Sequence, residues 1–190
     1  MRNARFRGCF AVAMAMACSS DCATGATQPR SLGPQWSQIQ DLHLVLVNDE
    51  ADCGVAALTT VLAFWRPGIS VSEVRKALGP AYSPQGLEAG SLRDVARQYG
   101  VGAFLVEGGV DDLTYEIARG RPVIVGLIEQ HGSRRFGHYV VVAGINFVGK
   151  RLLVADPRGG WRQIDEDALM AEWRAARELA LVIFPPERSE

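Results

Sequence analysis

HYVVVAGINFVGKRLLVADP, residues 138–157, is the stretch that decides the fold class. Its two apolar runs, 138–145 and 151–156, are rich in branched residues and have the length of strands. The segment between them contains Gly149 and ends on two basic residues, which indicates a turn. The stretch is therefore predicted to form an antiparallel hairpin, in which the start of the first strand lies beside the end of the second.

Helical segments precede this hairpin, and further strands lie on both sides of it. Branched residues predict strands at 122–128 and 179–184, and a short apolar run at 42–47 predicts a strand or an extended segment. Helical spacing of apolar residues predicts a late helix near 165–177 and earlier helices at 54–65, 70–79, 91–100 and 111–120. Helices first and strands later favour the α+β class with an antiparallel sheet over a doubly wound parallel sheet.

The composition fits one globular domain and excludes several classes of partner. The chain has 190 residues, of which 48% are hydrophobic and 22% charged, with a formal net charge of −1. No run of lysine or arginine residues indicates nucleic acid or an anionic membrane surface as a partner. We expect no cofactor and no metal, because the cysteine, histidine and aspartate candidates lack the short spacing of metal ligands.

The first residues have the layout of a secretory signal peptide. Three arginines precede an apolar run at 8–17, which is too short to span a bilayer. The sequence AMAC, residues 15–18, looks like a lipoprotein processing site, although Ala15 stands where a leucine is usual. We therefore expect residues 1–17 to be a lipoprotein-type signal peptide and Cys18 to be lipidated. The protein is then exported, periplasmic and anchored to a bacterial membrane only through its N-terminal lipid.

The four cysteines divide between the signal segment, a tether and the domain. Residues 18–39 are rich in small, polar and turn-forming residues, so they predict a flexible tether before a domain at 40–190. Cys22 lies in the tether and Cys53 in the domain, and a bridge between them stays open. The flexible surroundings of Cys22 favour a free thiol at Cys53.

Three residues of the domain supply different parts of a nucleophilic site. Cys53 begins the helix predicted at 54–65, and free N–H groups at a helix start favour a thiolate. His138 opens one strand of the hairpin and Asp156 ends the other, so antiparallel pairing makes them neighbours. Because an imidazole held by a carboxylate can activate a thiol, the sequence predicts a Cys53, His138 and Asp156 triad.

Each of these residues also has an ordinary structural explanation. Cys53 alone could be a small buried apolar residue, His138 a surface histidine, and Asp156 the start of an Asp-Pro turn. The presence of three complementary roles favours the functional interpretation. Asp52 is predicted to cap the helix that follows it.

Three motifs resemble those of a known enzyme family. DCGVAAL with VLAFW (52–65), GHYVVVAGI (137–145) and VADPRGG (154–160) look like the cysteine, histidine and aspartate motifs of bacteriocin-processing, double-glycine-cleaving peptidases, a branch of the papain-like cysteine peptidases. The resemblance covers residues 40–185. It implies a papain-like fold, in which N-terminal helices, with the cysteine at a helix start, pack on an antiparallel sheet that carries the histidine and the aspartate.

The resemblance also implies roles and partners. It makes Cys53 the nucleophile, His138 the general base and acid, and Asp156 the residue that orients the imidazole. The expected substrate is a peptide or protein, in this family a leader peptide cut after a Gly-Gly pair. No stretch after residue 40 is long and apolar enough to span a bilayer, so we expect any peptide exporter to be separately encoded.

One position departs from the family pattern. A glutamine that helps to hold the oxyanion is usual about six residues before the cysteine, and Val47 stands there. Asn48 has the required amide and is the substitute that we predict, and the backbone N–H of Cys53 remains a second donor. Two alternatives stay open: a catalytically weakened peptide-binding module, and an amidase or transpeptidase that acts on cell-wall peptides.

Overall fold

The computed structural model describes residues 27–83 and 86–185. The predicted signal peptide, Cys18 and Cys22 lie outside the described residues and stay predictions. Part of the predicted tether lies within them and joins the domain: strand β1 (Trp36–Gln38) pairs with residues 144–146 of the sheet. Ile39, which follows it, is buried. The ordered domain therefore begins before residue 40, because backbone pairing and apolar burial fix the end of this segment.

Five α-helices are present in the described part of the chain. They are α1 (Cys53–Trp65), α2 (Val71–Leu78), α3 (Ala89–Gln98), α4 (Val110–Ala118) and α5 (Glu166–Ala175). All five lie within two residues of the segments predicted from periodicity. The clearest local reason is at α2, where Ser70 accepts a hydrogen bond from the N–H of Glu73 while the Glu73 carboxylate accepts one from the N–H of Ser70.

Seven strands of the described residues form one sheet in which every pairing is antiparallel. After β1, they are β2 (Gly102–Glu107), β3 (Val123–His131), β4 (Arg134–Asn146), β5 (Arg151–Asp156), β6 (Gly160–Asp165) and β7 (Leu179–Phe184). Their order across the sheet is β2-β7-β3-β4-β5-β6, and β1 pairs with β4. The predicted α+β class with an antiparallel sheet is confirmed.

Helix α1 is buried along most of its length and carries the cysteine into the interior. Its residues 53–62 are all buried, and Leu58 and Leu62 have no exposed surface. A helix that is apolar on nearly every face needs neighbours on nearly every side, and α1 contacts the sheet as well as α2 and α3. No helix in the described part of the chain has both the length and the apolarity that crossing a membrane requires.

The structure decides between the two alternatives predicted for residues 42–47, and it contains strands that the sequence does not predict. Residues 42–47 do not join the sheet, because their backbone N–H groups find other acceptors. The N–H of Val45 donates to the Thr60 hydroxyl, and that of Val47 donates to the carbonyl of Pro157. Strands β2 and β6 are not predicted from the sequence. β2 gains its ladder from β7, far along the chain, and β6 gains its ladder from β5.

Candidate active site

Cys53 is the first residue of α1 and lies in the wall of a cavity of about 670 Å³. It is a free cysteine and is 6% exposed. The same cavity is lined by His138 and by residues 86–88 and 126–128. A sulfur at a helix start therefore faces a space that a ligand can enter.

Strands β4 and β5 bring His138 and Asp156 together, as the hairpin predicts. Nε2 of His138 lies 2.9 Å from Oδ1 of Asp156, and both side chains are almost completely buried. The two residues are not directly opposite each other, because the ladder pairs Val141 with Ala155. The contact therefore runs diagonally across the two strands, from the side chain of His138 to that of Asp156.

The other ring nitrogen of His138, Nδ1, is buried and has no hydrogen-bond partner among the described residues. Cys53 nevertheless interacts with the ring closely enough to change its pKa. Burial has the largest effect and lowers the pKa of His138, but hydrogen bonding and charge from Asp156 and Cys53 outweigh it and raise the pKa from 6.5 to about 9. At neutral pH the imidazole is therefore protonated, and Nδ1 is the nitrogen left to serve the sulfur.

Asp156 is held in the ionised form by several donors. Burial on its own raises the pKa of Asp156, but His138, the backbone N–H of Arg158 and the Arg162 guanidinium together lower it well below its usual range. Nη2 of Arg162 lies 2.7 Å from Oδ2, and the N–H of Arg158 donates to Oδ1 at 2.9 Å. Oδ1 is thus shared by His138 and the Arg158 backbone, while Arg162 holds the other carboxylate oxygen.

A second carboxylate, Glu129, lies beside His138 and was not predicted from the sequence. Its Oε1 is 3.9 Å from Nε2 of His138, and its Oε2 accepts a hydrogen bond of 2.7 Å from Arg158. Glu129, His138 and Asp156 offer ligand atoms within 4.8 Å of one another, a spacing that a metal ion could use. Arg158 and Arg162 bind these carboxylates instead, and two adjacent guanidinium groups oppose a cation.

Asp52 does not cap α1, so the predicted capping role is wrong. No hydrogen bond joins its side chain to the helix start. Its carboxylate instead pairs with Arg75 of α2 and accepts a hydrogen bond of 2.9 Å from the Tyr82 hydroxyl. A preceding 3-10 turn, Glu50–Asp52, turns the side chain toward these partners. Arg75 and Tyr82 thereby compensate the negative charge of Asp52, which lies next to Cys53 in the chain.

The proposed oxyanion residues lie just before this turn. Val47 is half-buried and is fixed through its backbone to Pro157, the residue after Asp156. Asn48 is exposed and is not among the residues that line the cavity around Cys53 and His138. The assignment of Asn48 as an oxyanion donor therefore stays a prediction.

Close packing restricts the space beside the sulfur. A Cβ on Gly54 would lie 3.1 Å from Cδ2 of Tyr139 and 3.3 Å from a methyl carbon of Leu87. The Tyr139 hydroxyl donates a hydrogen bond of 2.9 Å to the carbonyl of Leu87, which fixes this wall of the cavity. Burial is the main reason that the pKa of Tyr139 is raised to about 12, so the hydroxyl keeps its proton. Only glycine at position 54 fits this arrangement without displacing its neighbours.

The protonated state of His138 should stabilise the fold in a pH-dependent way. Because its pKa rises from 6.5 to about 9 on folding, its contribution is complete below pH 6.5 and is lost as the pH passes about 9. Over that interval the wild type should lose about 3 kcal/mol of unfolding free energy relative to His138→Gln. Urea unfolding of both proteins at several pH values measures this difference, and a difference independent of pH would contradict the assignment.

The chain is similar in sequence to known peptidases. The model of the peptidase C39 family matches residues 41–187. The chain is 24% identical over 147 residues to the lactococcin-G-processing and transport ATP-binding protein LagD of Lactococcus lactis subsp. lactis. That alignment spans 77% of this chain and 19% of LagD, so the chain corresponds to only a part of that protein.

Solved structures share the fold. The peptidase domain of Streptococcus ComA, a bi-functional ABC transporter involved in quorum sensing, has a TM-score of 0.62 at 26% identity, over 75% of this chain and 97% of that domain. A putative C39-like peptidase from Bacillus anthracis has a TM-score of 0.65 at 13% identity, over 80% of this chain and 98% of that one. A double glycine motif protease from an AMS/PCAT transporter, in complex with the leader peptide, has a TM-score of 0.58 at 23% identity. The match covers 75% of this chain and 90% of that one. Cys53, His138 and Asp156 lie within the matched range. The chain belongs to the peptidase C39 family, a papain-like family that includes the peptidase domains of bacteriocin-processing transporters.

Proposed function

We propose that this chain is a cysteine peptidase in which Cys53 is the nucleophile, His138 the general base and acid, and Asp156 the residue that orients the imidazole. The observation that carries the proposal is the buried contact of 2.9 Å between His138 and Asp156, made beside a free cysteine at a helix start. Membership of the C39 family supports the same roles.

The reaction begins from the thiolate and imidazolium forms of Cys53 and His138. The thiolate attacks the peptide carbonyl carbon, and the backbone N–H of Cys53 donates to the oxyanion that forms. His138 then gives its Nδ1 proton to the leaving nitrogen, so the C–N bond breaks and a thioester remains on the sulfur. Asp156 stays ionised at Nε2 and keeps Nδ1 aimed at the reacting atoms.

Hydrolysis of the thioester completes the cycle. The neutral imidazole takes a proton from a water molecule while that water attacks the thioester carbonyl. Collapse of the second tetrahedral intermediate releases the carboxylic acid and restores the thiolate and the imidazolium. A transpeptidase would form the same acyl intermediate and transfer it to an amine instead of water. An amidase would form it from a cell-wall amide instead of a peptide.

Two glycines in or beside the cavity wall are closely packed. Tyr139 and Leu87 crowd the space at Gly54, and a Cβ on Gly126 would lie 3.2 Å from a methyl carbon of Leu179. All of these except Gly54 line the cavity that contains the sulfur. We therefore propose cleavage after glycine or another small residue, as in the double glycine motif protease with which the chain shares its fold.

A peptide library tests the proposal. The purified protein and its Cys53→Ala variant would be incubated with peptides in which a Gly-Gly pair is moved and each glycine is replaced in turn by alanine, valine and leucine. We expect wild type to cut after Gly-Gly, to lose rate as the residue before the cut grows, and to leave every peptide intact when Cys53 is alanine. Equal cleavage by both proteins would remove Cys53 from the mechanism.

Val47 supports a second candidate, a peptide-binding module with little turnover. Valine cannot donate the hydrogen bond that glutamine gives to the oxyanion, while the cavity itself is intact. In that case the Cys53→Ala variant and wild type would bind the same Gly-Gly peptides with equal affinity, and neither would cut them. The library therefore separates the enzyme from the module.

A further inference from the structure

We propose that Glu129 is a second positioning carboxylate for His138, which shares with Asp156 the task of keeping the imidazole protonated and oriented. The inference rests on the proposed function, because it concerns the same histidine. It assigns a role to a buried acidic residue that lies outside the three motifs of the sequence.

The sheet register places Glu129 diagonally opposite His138. Strand β3 pairs Leu127 with His138 and Glu129 with Phe136. Residues two apart on a strand share a face, and directly opposite residues share it as well, so Glu129 and His138 lie on the same face. The resulting distance of 3.9 Å between Oε1 and Nε2 is within ion-pair range but is longer than a hydrogen bond.

Arg158 connects the two carboxylates. Its guanidinium binds Glu129 at 2.7 Å, and its backbone N–H binds Asp156 at 2.9 Å. A single residue of the turn between β5 and β6 therefore sets the positions of both acids relative to the imidazole. Glu129 is only 8% exposed, and burying a carboxylate is costly unless charged partners stabilise it.

The charged groups around the imidazole are two carboxylates and two guanidinium groups. Cys53 of α1 interacts with the ring, while Asp156 and Glu129 approach Nε2. The guanidinium groups of Arg158 and Arg162 bind the two carboxylates. Nε2–H can make one good hydrogen bond, which Asp156 accepts. Glu129 adds a second negative charge, and because its side chain is mostly buried, water screens that charge only weakly. Loss of either acid should thus make the imidazolium easier to deprotonate, and loss of both should be more damaging than the separate effects suggest.

The full chain carrying Glu129→Gln would be compared with wild type by NMR titration of the imidazole nitrogens of His138. We expect its pKa to fall by about one unit in Glu129→Gln, since a neutral amide no longer favours the cation. Glu116→Gln is the matched control, because Glu116 lies on α4, is mostly buried and pairs with an arginine, Arg121. It should leave the titration unchanged.

Peptide cleavage supplies the second readout. In a wild-type background Glu129→Gln should lower kcat by about threefold. It should also move the alkaline limb of the dependence of kcat on pH to lower pH. In an Asp156→Asn background the same change should cost about tenfold or more, because Glu129 is then the remaining carboxylate. Equal losses in the two backgrounds, or an unmoved His138 titration, would overturn the inference.

Glu129→Asp keeps the test decisive where the glutamine variant does not fold. Aspartate retains the negative charge but holds it farther from Nε2. The pKa of His138 in Glu129→Asp should therefore lie between its values in wild type and in Asp156→Asn. A titration identical to that of wild type would assign Glu129 a structural role only. If the Glu129 variants shift the His138 titration but wild type cuts no peptide, the proposed peptidase function fails while the charge arrangement stands.

Discussion

Replacing His138 by glutamine should lower peptide cleavage by about 10⁴-fold or more, a loss as large as that caused by removing the Cys53 sulfur. Glutamine fits a similar volume but can neither hold the proton for the leaving nitrogen nor accept one from water. The thiol would also lose its cationic neighbour, so alkylation of Cys53 by iodoacetamide at about pH 6 should slow markedly.

The double variant and a control sharpen this test. Cys53→Ala combined with His138→Gln should be no less active than either single variant, since residues that act as one unit are not additive. His43→Gln is the matched control, because His43 is exposed and lies outside the cavity. Retention of cleavage within about tenfold in His138→Gln would remove the imidazole from the mechanism.

Local rules account for the parts of this fold that were predicted from sequence. The start of the helix at 71–78 follows from Ser70 and Glu73, because the side chain of each accepts a hydrogen bond from the backbone N–H of the other. The contact between His138 and Asp156 follows from a hairpin whose strands are close in sequence. In both cases the interacting residues are separated by fewer than about twenty positions, so few alternative arrangements compete.

The parts that sequence could not give depend on pairing between distant segments. β2 becomes a strand because β7 pairs with it, and nothing in residues 102–107 indicates which partner they meet. Asp52 was predicted as a cap because that is the local option for an aspartate before a helix, whereas Arg75 and Tyr82 offer a better one only after α1 and α2 pack together.

The role of Glu129 shows the same limit within the site. Its acidic side chain near the end of the apolar run 123–128 is the one signal that the sequence offers. Whether that side chain faces His138 or points to the opposite face depends on the register of β3 against β4, and a shift of one residue would reverse it.

Replacing Val47 by glutamine should raise kcat by up to about 10²-fold. An oxyanion donor contributes about 10²–10³-fold to acyl transfer, and Val47 stands where the motif resemblance implies the glutamine donor. The backbone at this position is already fixed, because the N–H of Val47 donates to the carbonyl of Pro157 at 2.9 Å. The gain should therefore come from the new amide, with KM nearly unchanged, since the oxyanion exists only in the transition state.

Asn48 provides the counterpart to that experiment. If Asn48 is the donor, Asn48→Ala should cost about 10²-fold in wild type and much less in a Val47→Gln background, where the glutamine replaces it. A peptide aldehyde, which forms a tetrahedral adduct with the thiol, should bind more tightly to Val47→Gln by the same factor as kcat rises. A neutral Val47→Gln together with a damaging Asn48→Ala would show that the exposed amide turns into the site when substrate binds, and that Asn48 is the oxyanion donor of this chain.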